Sequence, residues 1–162
     1  MLENVRLAVQ ATREGAHRRG LNLWSIWSDH HALTERADEL LAATKLKARE
    51  HDRVASLPHG DQRKLEVALL MALEPKVFMF DEPTAGMNAA EAPVILDLIR
   101  ALKKDKRKTI LLVEHKMDVV RELADRIIVL HNGTLMAEGE PAEVIASPVV
   151  QEAYLGVAKE PA

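Results

Sequence analysis

Two adjacent carboxylates, Asp81 and Glu82, follow the short apolar run Val77–Phe80 and precede a proline and a glycine-containing turn. Such a run is typical of a buried strand in a parallel sheet, and open α/β sheets bind ligands at the carboxyl ends of these strands. Because a buried charge is costly unless it is paired or bound to a metal, the pair predicts a functional role. One carboxylate would hold a metal shell and the other would orient or deprotonate a water. The alternative is that both are solvated loop carboxylates that cap the next helix.

A second segment with possible chemistry lies upstream of this pair and reads Leu57-Pro58-His59-Gly60-Asp61-Gln62. A glycine at the start of a helix lets the backbone approach a phosphate, and the helix N-terminus presents unpaired N–H groups and a partial positive charge. By itself a Pro-His-Gly turn that opens a helix is a weak signal. Its place ahead of the Asp-Glu pair makes it stronger.

One histidine, His115, follows the β-branched apolar run Thr109–Val113. A lone histidine after a strand is more often a surface residue than a catalytic one, so its position is a weak indication of function. Its neighbour Glu114 is predicted to make a local polar contact.

The composition is that of an ordinary globular chain, with 162 residues, 48% of them apolar, and a net charge of −3. This balance points neither to nucleic acid nor to an anionic membrane surface as a partner. Cysteine is absent, which excludes disulfides and thiolate metal sites and fits a reducing cytosol. The first six residues lack the layout of a signal peptide, and no apolar run approaches the ~20 residues of a membrane span. Any membrane role is therefore expected to come through a partner.

The periodicity of apolar residues predicts a helical first part followed by alternating strands and helices. The first part is predicted to hold a helix from Leu2 that breaks near Gly15 and Gly20, a helix over Asp29–Ala43, a polar connector over Leu46–Ser56, and a helix from Gly60 to Ala72. The predicted strands are Val77–Phe80, Thr109–Val113, Arg126–Leu130 and Thr134–Ala137, the last two joined by an Asn132-Gly133 hairpin. Helices are predicted over Ala89–Lys103, Met117–Ala124, Pro141–Ala146 and Val149–Tyr154. Alternation of this kind predicts an α/β fold with a parallel sheet covered by helices.

Taken together, these motifs resemble the ATPase subunit of an ABC transporter, and within that family the likeness is greatest to importers of branched-chain amino acids. The likeness covers nearly the whole chain and includes Leu123–Leu130, Gly139-Glu140-Pro141 and Tyr154-Leu155-Gly156. It implies a helical subdomain with the signature motif in residues 1–74 and the C-terminal part of a RecA-like ATPase core, with a partial parallel sheet, in residues 75–162.

The resemblance also implies roles for single residues. Asp81 would hold Mg²⁺, usually through water, Glu82 would polarise the attacking water, and His115 would sense the γ-phosphate of ATP. The signature residues would contact nucleotide held by a second subunit: Leu57, His59, Gly60, Asp61 and Gln62. The D-loop residues would touch that subunit: Ala85, Gly86, Met87 and Asn88. The sequence departs from the usual motifs at four positions, where Pro58 replaces serine, His59 glycine, Asp61 glutamine and Asn88 aspartate.

The implied cofactors are ATP and Mg²⁺, and the implied partners are a second ATPase subunit and transmembrane permease subunits, with no nucleic acid. The protein would be cytoplasmic and peripheral at the inner face of the membrane. The chain nevertheless contains no Gly-x-x-x-x-Gly-Lys-[Ser/Thr] phosphate loop. Its start resembles a point inside the family's helical subdomain, so the phosphate loop, the glutamine loop and the adenine-stacking aromatic are expected upstream, and Gln10 does not replace the missing glutamine.

Three interpretations of the whole chain remain open. The first is a C-terminal fragment of an importer ATPase that is inactive alone, and the second is a non-catalytic relic or binding subunit that donates a signature face to an intact partner. The third, a DNA-repair or chromosome-organising ABC ATPase, is disfavoured because no long heptad arms are present. Without the family's phosphate-loop strand, the strands Thr109–Val113 and Arg126–Leu130 are expected to lose a neighbour, expose apolar faces and promote association.

Other notable residues have simpler interpretations. The adjacent His30 and His31 are predicted to lie at the surface, since neighbours on a helix point about 100° apart. The basic run Lys103–Lys108 is predicted to be a solvated helix end and loop. The apolar cluster Leu21–Trp27 is predicted to pack within the helical region, with a docking patch for a membrane partner as the alternative.

Overall fold

Three helices of the N-terminal part pack on one another around a shared apolar core. The computed structural model describes residues 1–16 and 30–155. In these ranges the helices are α1 (Leu2–Ala16), α2 (His30–Ala43) and α3 (His59–Ala72), close to the predicted bounds. Helical spacing places one apolar stripe of each helix inward. The residues at the centre of this core include Val5, Ala37, Leu40, Leu41 and Ala68.

The connector between α2 and α3 contains two short 3₁₀ turns, Lys47–Arg49 and Val54–Ser56. It is mostly exposed, as its polar composition predicts, but Leu46 is only 1% exposed and belongs to the core. Lys45 adopts the left-handed conformation with φ of 59°, and the Leu46 N–H donates to the Leu41 carbonyl over 2.7 Å. This sharp return at the end of α2 carries Leu46 inward.

Strand β1 (Val77–Asp81), helix α4 (Ala92–Lys103) and strand β2 (Thr109–Val113) follow. The two strands pair in a small parallel sheet. In β1 the rings of Phe78 and Phe80 are buried and stacked, with centroids 6.1 Å apart. The intervening side chains of Val77 and Met79 are exposed. The strand is therefore buried on one face only, whereas the apolar run predicts burial on both faces.

Helix α4 begins at Ala92, three residues after the predicted Ala89. The side-chain Oδ1 of Asn88 accepts hydrogen bonds from the N–H groups of Ala90 and Glu91, at 2.9 Å and 3.0 Å. This local bonding gives the chain an alternative to helix before Pro93, which stands near the helix start where its missing donor has no cost.

The remaining elements are α5 (Met117–Leu123), β3 (Ile127–His131), β4 (Thr134–Gly139), α6 (Pro141–Ala146) and α7 (Pro148–Val150), followed by a π turn over Gln151–Leu155. Asn132 and Gly133 both have positive φ, 50° and 75°, as a type I′ hairpin turn requires. The antiparallel β3–β4 ladder has a register irregularity between Val129 and Leu130. The hairpin is therefore confirmed, and β4 extends beyond the predicted Ala137.

The α/β class is confirmed, but the strands of the described residues form two sheets, ordered β1–β2 and β3–β4. Strand β3 pairs with its hairpin partner in place of the parallel neighbour that simple alternation predicts. By its internal contacts the chain divides into two compact units, Met1–Leu111 and Leu112–Ala162. The boundary between residues 74 and 75, which the resemblance implies, remains a prediction.

Two simpler interpretations are confirmed where the structure describes them. His31 is exposed, and the basic run after α4 is mostly a solvated loop in which Arg107 donates to Asp105, which lies 4.0 Å from Lys108. Lys108 differs from the rest of the run, since its Nζ lies 5.4 Å from the centroid of the buried Phe78 ring. The hydrogen bonds from Arg107 lower the pKa of Asp105 to about 2. The cluster Leu21–Trp27 lies outside the described residues. Within the described ranges, every helix is too short or too polar to cross a membrane.

Each sheet leaves large apolar side chains exposed. The exposed fraction is 55% for Val77 and 68% for Met79 on β1, and 48% for Leu111 on β2. In the second sheet the exposed apolar side chains are Ile128, Leu130 and Leu135. Exposed apolar side chains on strands favour contact with another chain.

We expect the 162-residue chain to self-associate, and we expect the double substitution Val77→Thr and Met79→Thr to weaken that association by about tenfold or more in dissociation constant. Threonine keeps the β-branched shape that suits a strand while it reduces the apolar area. Sedimentation equilibrium measures the effect. Leu7→Gln is the control, since Leu7 is 53% exposed and belongs to helix α1 and not to a strand. An equal effect of both variants would contradict the role of the sheet surface.

Candidate functional site

The carboxylate pair lies at the end of β1, where the chain leaves the sheet in a strained turn. Asp81 is the last residue of the strand and is exposed, while Glu82 is partly buried. Glu82 has φ of 42°, a left-handed conformation that costs on the order of 1–3 kcal/mol for a residue other than glycine. The turn is held by hydrogen bonds from the Ala85 N–H to the Glu82 carbonyl, 2.9 Å, and from the Met87 N–H to the Thr84 carbonyl, 3.3 Å. Strain of this kind is concentrated at functional sites.

The structure gives the N–H groups ahead of α4 another partner than the two carboxylates. Asn88 Oδ1 accepts hydrogen bonds from the N–H groups of Ala90 and Glu91. Asp81 is exposed at the end of β1, as the alternative of solvated loop carboxylates also expects.

The two carboxylates fit a magnesium site in which the protein provides only some of the ligands. Mg²⁺ takes oxygen ligands, keeps several waters, and is held by one or two carboxylates together with substrate phosphates. Among the residues that the structure describes, no three His, Asp or Glu side chains are grouped closely enough to form a protein-only metal site. Asp81 and Glu82 are carboxylates of the type that this ion accepts as ligands.

The segment 57–62 forms the turn that opens α3. Pro58, whose side chain offers no acceptor, stands at the N-cap, and its carbonyl accepts the Gln62 N–H over 3.0 Å. The Gln62 side chain turns back and donates from Nε2 to the Leu57 carbonyl over 2.9 Å. Leu57 is 5% exposed and packs in the core, whereas His59 is exposed.

Asp61, in the first turn of α3, already has two cationic partners. Its Oδ1 lies 2.8 Å from Lys64 Nζ and its Oδ2 lies 3.2 Å from Arg49 Nη1. Asp61 is 9% exposed and Lys64 is 7% exposed. The helix N-terminus favours a negative charge here, and the two cations neutralise it. Sequence spacing alone could have indicated the Asp61–Lys64 pair, which is separated by three positions on a helix.

The loop 85–88 lies beside this turn within the same compact unit. Gly86 has φ of 70°, a conformation that suits glycine. A Cβ atom at position 86 would lie 3.2 Å from His59 Cδ2, so the imidazole packs directly against the glycine. The structure thus brings together two of the segments that the sequence singles out.

His115 belongs to the second compact unit, in the segment between β2 and α5. Its side chain is 65% exposed, while that of Glu114 is 1% exposed. Glu114 Oε2 accepts hydrogen bonds from the N–H groups of His115 and Lys116, at 3.0 Å and 3.3 Å. The predicted local contact of Glu114 is confirmed, and it fixes the backbone that presents His115 to solvent.

Sequence reasoning missed Glu91, which lies against Gly60 and near Lys64. No local pattern signals this contact, because it joins the start of α4 to the start of α3 through the tertiary fold. It adds a second carboxylate to the charged cluster of Arg49, Asp61 and Lys64.

Two family models match this sequence. The model described as ABC transporter matches residues 3–85, and the model described as branched-chain amino acid ATP-binding cassette transporter matches residues 134–160. The first match contains the signature turn and the carboxylate pair.

Curated relatives and solved structures agree with these matches. The high-affinity branched-chain amino acid transport ATP-binding protein LivG of Escherichia coli is 40% identical over 124 residues, which cover 76% of this chain and 49% of LivG. The corresponding protein BraF of Pseudomonas aeruginosa is 40% identical over 103 residues, 64% of this chain and 40% of BraF. The crystal structure of an ABC transporter ATP-binding cassette in its ADP conformation superposes with a TM-score of 0.68 at 28% identity, over 94% of this chain and 62% of that one. The chain spans about half the length of the curated relatives it matches.

Proposed function

Because this chain belongs to the family of ABC transporter ATP-binding proteins, we propose that it is the C-terminal portion of an importer ATPase. The transported solute would be a branched-chain amino acid, which the names of LivG and BraF give for those proteins, or a related amide. The observation that carries the proposal is the Asp81–Glu82 pair, held in a strained turn at a strand end in the same unit as the turn at Gly60.

Each functional residue has a distinct proposed task. Asp81 would hold Mg²⁺, usually through water, Glu82 would orient the attacking water and accept its proton, and His115 would donate a hydrogen bond to the γ-phosphate. Bound Mg²⁺ supplies charge neutralisation of the phosphate oxygens. The exposed end of β1 leaves Asp81 open to solvent and to a ligand.

The signature turn serves a nucleotide that another subunit holds. Backbone N–H groups at His59, Gly60 and Asp61 lie in the first turn of α3, where a helix leaves its donors without internal acceptors. Gln62 steadies this turn through its bond to the Leu57 carbonyl, and the loop 85–88 beside it contacts the same partner subunit.

The proposed assembly contains two ATPase subunits and transmembrane permease subunits at the cytoplasmic face of the membrane. The functional division would follow residues 1–74, which carry the signature, and residues 75–162, which carry the carboxylates. Permease subunits would hold the solute, so the residues of this chain act on ATP alone.

The second candidate function is that of a non-catalytic subunit or relic that donates its signature turn to an intact ATPase. The observation that favours it is the lack of a phosphate-loop sequence in all 162 residues. In-frame phosphate-loop codons upstream of Met1 would support the first candidate and remove the basis for the second.

We expect negligible ATP hydrolysis from the purified 162-residue chain under either candidate. Affinity for nucleotide phosphates depends mainly on the backbone cradle and the lysine of a phosphate loop, and neither is in this sequence. A coupled assay of phosphate release tests this expectation. Turnover that the variant Glu82→Gln abolishes would contradict it, because the chain would then hydrolyse ATP without such a loop.

A further inference from the structure

Glu91, just before α4, fills the space beside the first turn of α3. A Cβ atom at Gly60 would lie 2.7 Å from Glu91 Cδ and 2.9 Å from Glu91 Oε1. Both distances are shorter than real Cβ contacts, so a side chain at position 60 requires Glu91 to move. The atoms that a side chain would meet are the far end of the flexible Glu91 side chain, so the close approach shows that this carboxylate occupies the space beside Gly60.

The carboxylate of Glu91 faces a buried ammonium group. Lys64 Nζ lies 3.9 Å from Glu91 Oε1 and 2.8 Å from Asp61 Oδ1, and Arg49 Nη1 completes the cluster at 3.2 Å from Asp61 Oδ2. The side chains of Lys64, Asp61 and Glu91 are 9%, 12% and 24% exposed. Two cations and two anions thus form a neutral, partly buried cluster, which salt screens less than an exposed pair.

The same carboxylate is also tied to the loop 85–88. The Asn88 N–H points to Glu91 Oε2 over 3.4 Å, and Asn88 Oδ1 accepts the Glu91 N–H over 3.0 Å. The imidazole of His59 lies against Gly86 on the same side of the turn. The loop and the first turn of α3 therefore meet at two places, His59 with Gly86 and Glu91 with Gly60.

We propose that Glu91 is a positioning residue that holds the first turn of α3 in register with the loop 85–88. It acts through Lys64 and through the backbone at Gly60, and it needs no contact with nucleotide. Its relevance to catalysis rests on the proposed function, in which both segments face the partner subunit. A shift of the loop then moves the turn, because one side chain contacts both.

Amide hydrogen exchange of the 162-residue chain tests the positioning directly. The amides of Gln62, Arg63 and Lys64 report on the turn, since Gln62 donates to the Pro58 carbonyl at its start. Glu91→Gln removes the charge but keeps the shape, and we expect these amides to exchange roughly tenfold faster, as for loss of a charged contact. The control Asp97→Asn neutralises an exposed acid of α4 that pairs with Arg100, and it should leave them unchanged.

A double-mutant cycle tests whether the effect of Gly60→Ala on amide exchange reverses when Glu91 is absent. General destabilisation of the helix would not reverse it. Gly60→Ala alone should displace Glu91 and speed exchange of the same amides. In the Glu91→Ala background it should slow their exchange about fivefold, because alanine is the better helix former. The same direction of effect in both backgrounds would overturn the contact between Gly60 and Glu91 as the cause.

The catalytic consequence is measured in a fusion of residues 1–162 to the upstream half of E. coli LivG. Glu91→Gln should lower kcat about tenfold and leave the KM for ATP unchanged. The reason is that the first turn of α3 and the loop 85–88 would act on ATP that the partner subunit has already bound. Altered exchange with unchanged kcat would overturn the catalytic role. If the parent fusion shows no ATP hydrolysis, the proposed function fails, and the exchange experiments still decide whether Glu91 positions the turn.

Discussion

Glu82→Gln should stop ATP turnover in the fusion of residues 1–162 to the upstream half of LivG, while ATP remains bound. Loss of a group that orients or deprotonates water lowers the rate by roughly 10²–10⁴-fold. Glutamine matches glutamate in size, so it fits the strained turn at φ of 42° and preserves the backbone bond from Ala85. The substitution therefore tests the chemistry of the carboxylate and not its packing.

Steady-state phosphate release gives the turnover, and filter binding with radiolabelled ATP gives the retained nucleotide. Glu66→Gln is the matched control, since Glu66 is an exposed carboxylate of α3 that pairs with Arg63 over 2.7 Å. Its turnover should equal that of the parent fusion. A Glu82→Gln protein with parental turnover would show that another group orients the water.

The elements that the sequence predicts well are those with a strong local signal. Helix α3 ends at Ala72 because Pro75 disfavours helix just before it, and the hairpin forms because Asn132 and Gly133 accept positive φ. The β-branched run Thr109–Val113 forms the predicted strand with the same bounds. In each case the conformation is determined by residues that are close together in the sequence.

The features that sequence reasoning missed depend on tertiary contacts. The apolar run in β1 predicts burial on both faces, yet Met79 is 68% exposed and only the face that carries Phe78 and Phe80 is buried. Helix α4 begins late because one Asn88 oxygen competes for the first N–H groups. Leu46 enters the core only because Lys45 turns the chain.

Some features of the candidate site can likewise be predicted from the sequence, and others depend on the folded structure. The types and spacing of Asp81, Glu82 and Gly60 single them out, since adjacent carboxylates after a strand and a glycine at a helix start have specific chemistry. The left-handed strain at Glu82 and the approach of Glu91 to Gly60 are invisible in the sequence. The first belongs to a turn held by local backbone bonds, and the second joins segments that lie far apart in the chain.

In a full-length dimer, Gly60→Asp should disable the ATP site whose phosphate loop belongs to the other subunit. The substitution adds bulk and a negative charge at a helix terminus that is proposed to face the γ-phosphate. An aspartate at position 60 would also meet Glu91 of its own chain, so the experiment is repeated with Glu91→Ala in both subunits. The result in trans should not depend on that background.

Trapping of ATP in a tagged heterodimer is the most direct test of the account. One subunit of the fusion carries Gly60→Asp, and the other carries an alanine in place of its phosphate-loop lysine. If the signature turn acts in trans, both lesions fall in one composite site, and the dimer traps one ATP at the intact second site. A dimer that traps none would mean that Gly60 serves the nucleotide of its own subunit, which would contradict the account.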